Sequence, residues 1–197
     1  ASISLSTGVF IGTTLGLIAG YVGGMVDELI MRAVDVSLSL PFVLIALVSV
    51  IIFGASLGLV IGLLALFTWA SFVRYVRAEV LTLKERDYVA LAKVAGASTS
   101  RILIRHILPG VMNTVIVVST LRVGQLILTE ATLSFIGAGI PAPTPAWGLL
   151  ISEGRSYVTT AWWTAFFPGL AIFLLVMSLN FMGDWIRDRL DPRLRQL

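Results

Sequence analysis

Three polar side chains interrupt the apolar run between Val111 and Ile136: Arg122, Gln125 and Glu130. Inside such a run they could hold an ion, relay a proton or bond to neighbouring polypeptide, because ionisable groups are too costly in hydrocarbon to stand alone. Arg122 and Glu130 are eight residues apart. On a helix they share a face but stand ~12 Å from each other along the axis, too far for a direct pair. Bonds to partner subunits, or the lining of a wet cavity, therefore explain them more simply than a substrate or ion site. Other chemistry is excluded by residue type. There is no cysteine and a single histidine, His106, so thiolate sites, histidine-rich metal sites and cysteine nucleophiles are ruled out. No nucleophile stands with its base, as an intramembrane enzyme would need. No Gly-Lys dipeptide occurs, so the chain has no phosphate-binding P-loop. Neither catalytic residues nor a metal nor a cofactor bound by this chain is expected.

A second constellation lies in the polar stretch that holds Arg74, Arg77, Lys84, Arg86, Lys93, Arg101 and Arg105. Within it, Asp87 to Ala95 reads as a short helix, with an acidic residue in its first turn, Lys93 near its end and Gly96 as terminator. A second helix starts at once. Ser98 is its N-cap, Arg101 to Leu108 its body, and Pro109 its exit. Tyr88, Val89, Leu91, Ile102, Leu103 and Ile107 are too apolar for a helix pair left in water, so another protein is expected to dock there.

The elements that position both constellations follow from charge spacing. Apolar residues make up 57% of the 197 and charged residues 13%, against roughly half and a quarter in a soluble domain. Charge-free runs cover 1–26, 36–73 and 156–183, each long enough to span a bilayer. The run 36–73 would reach ~57 Å as one helix, so it must fold back, at Gly54-Ala55-Ser56-Leu57-Gly58. About five spans result, at 3–25, 36–53, 57–73, 111–136 and 163–182, in one transmembrane domain over 1–197 with a polar loop at 74–109. Gly12, Gly16, Gly20 and Gly24 align along one face of the first span, where another helix can come close. Asp27, Glu28, Arg32 and Asp35 form a short polar connection, and Pro41 falls in the first turns of the second span. The Gly/Pro segment 137–145 cannot continue a helix. Trp162 and Trp163 mark a membrane interface before the last span, whose first turns hold Pro168. Glu153 and Arg155 read as solvated loop charges.

Orientation follows from Lys and Arg. Twelve of the 14 fall on one side if the spans alternate, and only Arg155 on the other. The loop 74–109 and the C-terminus are then cytoplasmic by the positive-inside rule. Ala1 falls outside, which leads us to expect an upstream N-terminal span in the complete protein. The net charge of +3 is thus an orientation signal, and nucleic acid is not an expected partner.

Asp87-Tyr88-Val89-Ala90-Leu91-Ala92-Lys93-Val94-Ala95-Gly96-Ala97-Ser98, followed by Arg105-His106-Ile107-Leu108-Pro109, resembles the EAA loop of binding-protein-dependent ABC permeases. Ala90 and Leu91 replace the name-giving Glu and first Ala, and His106 stands where Ile is usual. Further stretches at 130–137, 143–148 and 183–195 resemble the dipeptide, oligopeptide and nickel permeases, in particular their C-type subunit. The resemblance implies an all-α, polytopic membrane helical bundle of the type I ABC importer permease (MetI-like) fold. It implies import of di- or oligopeptides, with nickel or oligosaccharides as alternatives. A secondary transporter is the rival from another class. The implied partners are a homologous permease subunit, two ATP-binding cassette ATPase subunits carrying ATP and magnesium, an extracytoplasmic substrate-binding protein, and membrane lipid. The implied ATPase contact comprises Tyr88, Leu91, Ala92, Gly96, Ala97, Ser98, Ile102, Leu108 and Pro109.

Overall fold

The computed structural model describes residues 1–190. The Asp191-Pro192-Arg193-Leu194-Arg195 part of the resemblance, and the orientation signal of Arg193 and Arg195, lie outside them. The described residues form helices and turns with no strand. In chain order these are α1 (Ser2–Val22), α2 (Gly24–Ser39), α3 (Phe42–Phe53), α4 (Leu57–Leu83), α5 (Asp87–Val94), α6 (Thr99–Ile102), a π turn (Leu103–Ile107), α7 (Leu108–Phe135), α8 (Trp147–Gly154), a 3-10 turn (Arg155–Tyr157) and α9 (Trp163–Leu190). Among them α1, α4, the run Thr99–Phe135 and α9 are each long and apolar enough to cross a membrane, while α2 and α3 reach that length and apolarity only together and are bent by 81° at the break between them.

Several boundaries differ from those expected. The polar connection 27–35 is part of the helix α2. The expected span 36–53 is not one helix, since α2 stops at Ser39 and α3 starts at Phe42. Pro41 is the cause: it has no N–H to give and disfavours helical backbone at the residue before it. α3 and α4 are separated by a break at Gly54 to Ser56, and the Ser56 hydroxyl caps α4 by accepting the Leu59 N–H at 3.2 Å. Gly24 does not belong to the glycine face of α1, which ends at Val22.

The chain divides into two compact units, one of Ser6–Ser39 and Leu66–Ser119, the other of the remaining segments. In the first, α1 lies on α4. A Cβ at Gly12 would fall 2.5 Å from the Phe72 Cβ and 2.6 Å from the Trp69 carbonyl oxygen, and one at Gly16 2.7 Å from the Val76 Cβ. Only hydrogen permits that approach, the way helices pack where water supplies no drive. Buried Val34 of α2 packs with Ala70 and Val73 of α4.

In the second unit, buried Ala46, Leu63, Leu133 and Ala138 form one cluster and Val60, Leu64 and Leu126 another. The segment after α7 is more ordered than a Gly/Pro loop suggests, because it contains α8. That helix packs along the start of α9, and the Ser152 hydroxyl donates to the Phe135 carbonyl at 2.8 Å. Arg155 is not simply solvated, since its guanidinium lies over the Phe135 ring, 5.6 Å from the centroid.

Candidate docking loop

The loop between α4 and α7 is built from its corner outward. After Val94 the chain turns with Gly96 at φ +77°. The Gly96 N–H donates to the Lys93 carbonyl and the Ala97 N–H to the Ala92 carbonyl, both at 3.0 Å. This is the paired-bond C-terminal cap that uses a left-handed residue to satisfy carbonyls the helix leaves open. Glycine suits it because a Cβ raises the energy of left-handed backbone. Ser98 occupies the N-cap position of α6, but its side chain bonds no backbone N–H. Its hydroxyl lies instead 3.3 Å from that of Ser100.

Pro109 does not end a second short helix, which corrects the expected exit there. α6 passes through the π turn into α7, giving one helical run over Thr99–Phe135. At the end of the π turn the Leu108 N–H donates to the Leu103 carbonyl, five residues back. The wide turn sits directly before the proline, where a regular ladder would meet a missing donor and a ring clash. Leu108 and Pro109 therefore belong to the start of α7.

The expected contact residues divide by burial. Val89, Ala92, Ile102 and Ile107 are buried, with Ile102 only 2% exposed, and α5 touches both α6 and the π turn. Ala92 and Ile102 thus pack within the loop and leave little surface of their own. The outward face of α5 carries Tyr88, 43% exposed, and Leu91, 68% exposed, with Val94 beside them at 87%. Ile104 is also exposed. Val94 and Ile104 are not among the expected contact residues. An eight-residue helix is too short for apolar periodicity to show which residues face out. Ala97 is half-buried, and Arg86, Arg101 and Arg105 are exposed.

The loop is also tied to α1. The Lys84 ammonium donates to the Gly20 carbonyl at 3.1 Å, a cation closing a helix C-terminus. Lys93 lies 5.5 Å from the centroid of the Tyr21 ring, within reach of the ring's negative face. Leu83 meets α7 at Gly110, where an added Cβ would lie 2.9 Å from a Leu83 methyl.

The polar residues of α7 separate into two local pairs. Arg122 donates to Gln125 at 2.5 Å. Glu130 accepts from the Ser134 hydroxyl at 2.6 Å, and that oxygen accepts the Ile140 N–H at 3.1 Å. Ser134, 2% exposed, was missed, although its spacing of four from Glu130 is the signal that could have found it. No group of His, Cys, Asp or Glu able to hold a metal occurs among the described residues.

The family described as "Binding-protein-dependent transport system inner membrane component" matches residues 12–196. A glutathione transport system permease protein, GsiD, of Pectobacterium atrosepticum is 44% identical over 200 residues, covering 98% of this chain and 66% of the relative. A dipeptide transport system permease protein, DppC, of Alkalihalophilus pseudofirmus is 41% identical over 202 residues, covering 99% and 66%. The chain thus spans about two thirds of the length of these relatives. A chain from inward-facing conformations of the MetNI methionine ABC transporter shares the fold, with a TM-score of 0.68 at 19% identity, over 96% of this chain and 90% of that one.

Proposed function

This chain belongs to the family of binding-protein-dependent transport system inner membrane components, and from that premise we propose that it is the permease subunit of an ATP-driven importer. It takes small peptides, with glutathione and dipeptides first in view of the relatives' names. An external binding protein delivers the substrate and a homologous permease completes the pathway. Two partner ATPases bind the ATP and magnesium. Loop and C-terminus face the cytoplasm, a reading that the excess of Lys and Arg on that side supports.

The observation that carries this proposal is the outward apolar face of α5, Tyr88, Leu91 and Val94, held at a fixed angle by the Gly96 cap. Exposed apolar side chains on a short, otherwise polar loop mark a binding surface, and a helix in a groove is a common way to fill one. The face docks on the ATPase, and rigid-body rocking of the two permeases then alternates access.

The experiment is recovery of ATPase subunits with the tagged full-length protein, together with ATP-driven uptake of labelled dialanine and glutathione into proteoliposomes. Gly96→Val should insert normally, because insertion depends on the apolar runs, and should lose both ATPase recovery and uptake. Failure of the parent to recover any ATPase would sink the importer assignment. Sidedness is checked in the cysteine-free chain with Ser98→Cys and Thr144→Cys. An impermeant thiol reagent added to intact cells should label only the second.

A further inference from the structure

α1, α4 and the docking loop make one packed block. Gly12, Gly16 and Gly20 admit the side chains of Phe72, Val76 and Val80, and Lys84 and Lys93 tie the loop to the last turn of α1. α2 also packs on α4, through Val34 against Ala70 and Val73, but its covalent link to α1 is of another kind. The chain passes from α1 to α2 through Gly23 and Gly24, at φ +70° and +56°. An added Cβ at either would meet nothing within 4 Å. No neighbouring side chain packs where either Cβ would stand, and Gly23 is held by backbone bonds alone, donating to the Ala19 carbonyl at 3.1 Å and accepting the Asp27 N–H at 3.3 Å.

Beyond the joint, Asp27 is held by both of its carboxylate oxygens. Arg77 donates to one from Nε at 2.5 Å and to the other from Nη2 at 2.6 Å. The two side chains are 17% and 30% exposed, against 60% and 49% for the single-contact Asp35–Arg74 pair at the same helix boundary. A two-bond guanidinium–carboxylate pair fixes orientation as well as distance, and partial burial protects it from the screening that makes exposed pairs weak.

We propose that Asp27 and Arg77 are positioning residues for energy coupling: they make α2 follow the block when the docking loop moves, across a glycine joint that would otherwise let α2 lag. The proposal rests on the importer function above and adds the route by which loop movement reaches the second helix. Without the bidentate pair, ATP hydrolysis continues while the helix slips.

The test uses the purified full-length complex in proteoliposomes, with ATP hydrolysis and uptake of labelled dialanine measured on the same preparation. Asp27→Asn should recover ATPase subunits at the parent level and keep hydrolysis, while uptake per ATP falls about tenfold, within the range of coupling between linked sites. Exchanging the charges, Asp27→Arg with Arg77→Asp, should restore most of that ratio. So should a short thiol cross-link between Val34→Cys and Ala70→Cys in the Asp27→Asn background, since those positions pack together. A parent-level ratio in Asp27→Asn overturns the proposal. Loss of ATPase recovery in that variant also overturns it, because the pair is then structural, and so does failure of the exchange and the cross-link to restore coupling. A parent complex without ATPase would instead overturn the importer function itself, so the two failures are distinguishable.

Discussion

Along α1, Gly12 and Gly16 sit so close to α4 that an added methyl would strike a backbone carbonyl or a β-carbon. At the loop corner, a Cβ on Gly96 would meet nothing within 4 Å, and what glycine supplies there is φ +77°. The first position needs a missing volume and the second a permitted conformation. Substitution at the first should damage the packed helices, whereas substitution at the second should change the angle of one short helix and leave the spans intact. Packing and docking are therefore separable by mutation within the same compact unit.

The largest effect falls on the packed side. In Gly12→Val the obstacles are the Trp69 carbonyl and the Phe72 Cβ, neither of which can rotate away, so the cost should reach or exceed ~3 kcal/mol, the upper part of the overpacking range. Thermal unfolding of the purified protein in detergent should show a large fall in midpoint, or no monodisperse protein at all. A midpoint like the parent's would mean that α1 and α4 do not pack this closely.

Next comes the interior of the loop. Ile102→Ala removes a fully buried side chain and should cost about 3 kcal/mol, read as loss of protection of α5 and α6 in hydrogen exchange. Leu91→Ala, on the exposed face, should leave that protection unchanged, as surface substitutions do. It should instead lower ATPase recovery. If both variants behave alike, the division of the loop into a packed and a presented face is wrong.

At the corner itself the ranking is diagnostic. Left-handed backbone costs a residue with a Cβ roughly 1–2 kcal/mol, with asparagine the best tolerated after glycine. ATPase recovery should therefore fall in the order Gly96→Asn, Gly96→Ala, Gly96→Val, with unfolding midpoints lowered by only the few degrees that this strain accounts for. A ranking by side-chain volume alone would make Gly96 another packing glycine.

Much of this contrast was legible in the sequence, and the parts that were not have physical causes. Gly96 could be read as a terminator because a left-handed cap leaves a residue-type signature. The spacing of four that marks Gly12, Gly16 and Gly20 carries on to Gly24, yet spacing cannot show that Gly23 and Gly24 end the helix. Pro109 suggests an exit because a proline announces a disturbance but not its remedy, here a π turn that keeps the helix running. Pro41, in contrast, does break the helix. The spacing of Arg122 and Glu130 shows only that they do not pair with each other, whereas each has a nearer neutral partner on its own helix, Gln125 and Ser134. The eight residues of α8 lay hidden after a Gly/Pro segment that masked any period.

The smallest expected effect tests the other side of the corner, where the same kind of residue again does different work at two sites. Ser98 and Ser56 both stand at N-cap positions. The Ser56 hydroxyl accepts the Leu59 N–H at 3.2 Å, whereas the Ser98 hydroxyl faces Ser100 and caps nothing on the backbone. Removing a capping hydroxyl costs ~1 kcal/mol in the usual case, because an open N–H at the helix start loses its acceptor. Ser56→Ala should thus lower the unfolding midpoint measurably. Ser98→Ala should stay within about 0.5 kcal/mol of the parent, since the corner is set by the Gly96 cap two residues earlier. A loss of 1 kcal/mol or more in Ser98→Ala would show that its hydroxyl does cap α6, and the angle of the docking helix would then depend on both sides of the corner instead of on glycine alone.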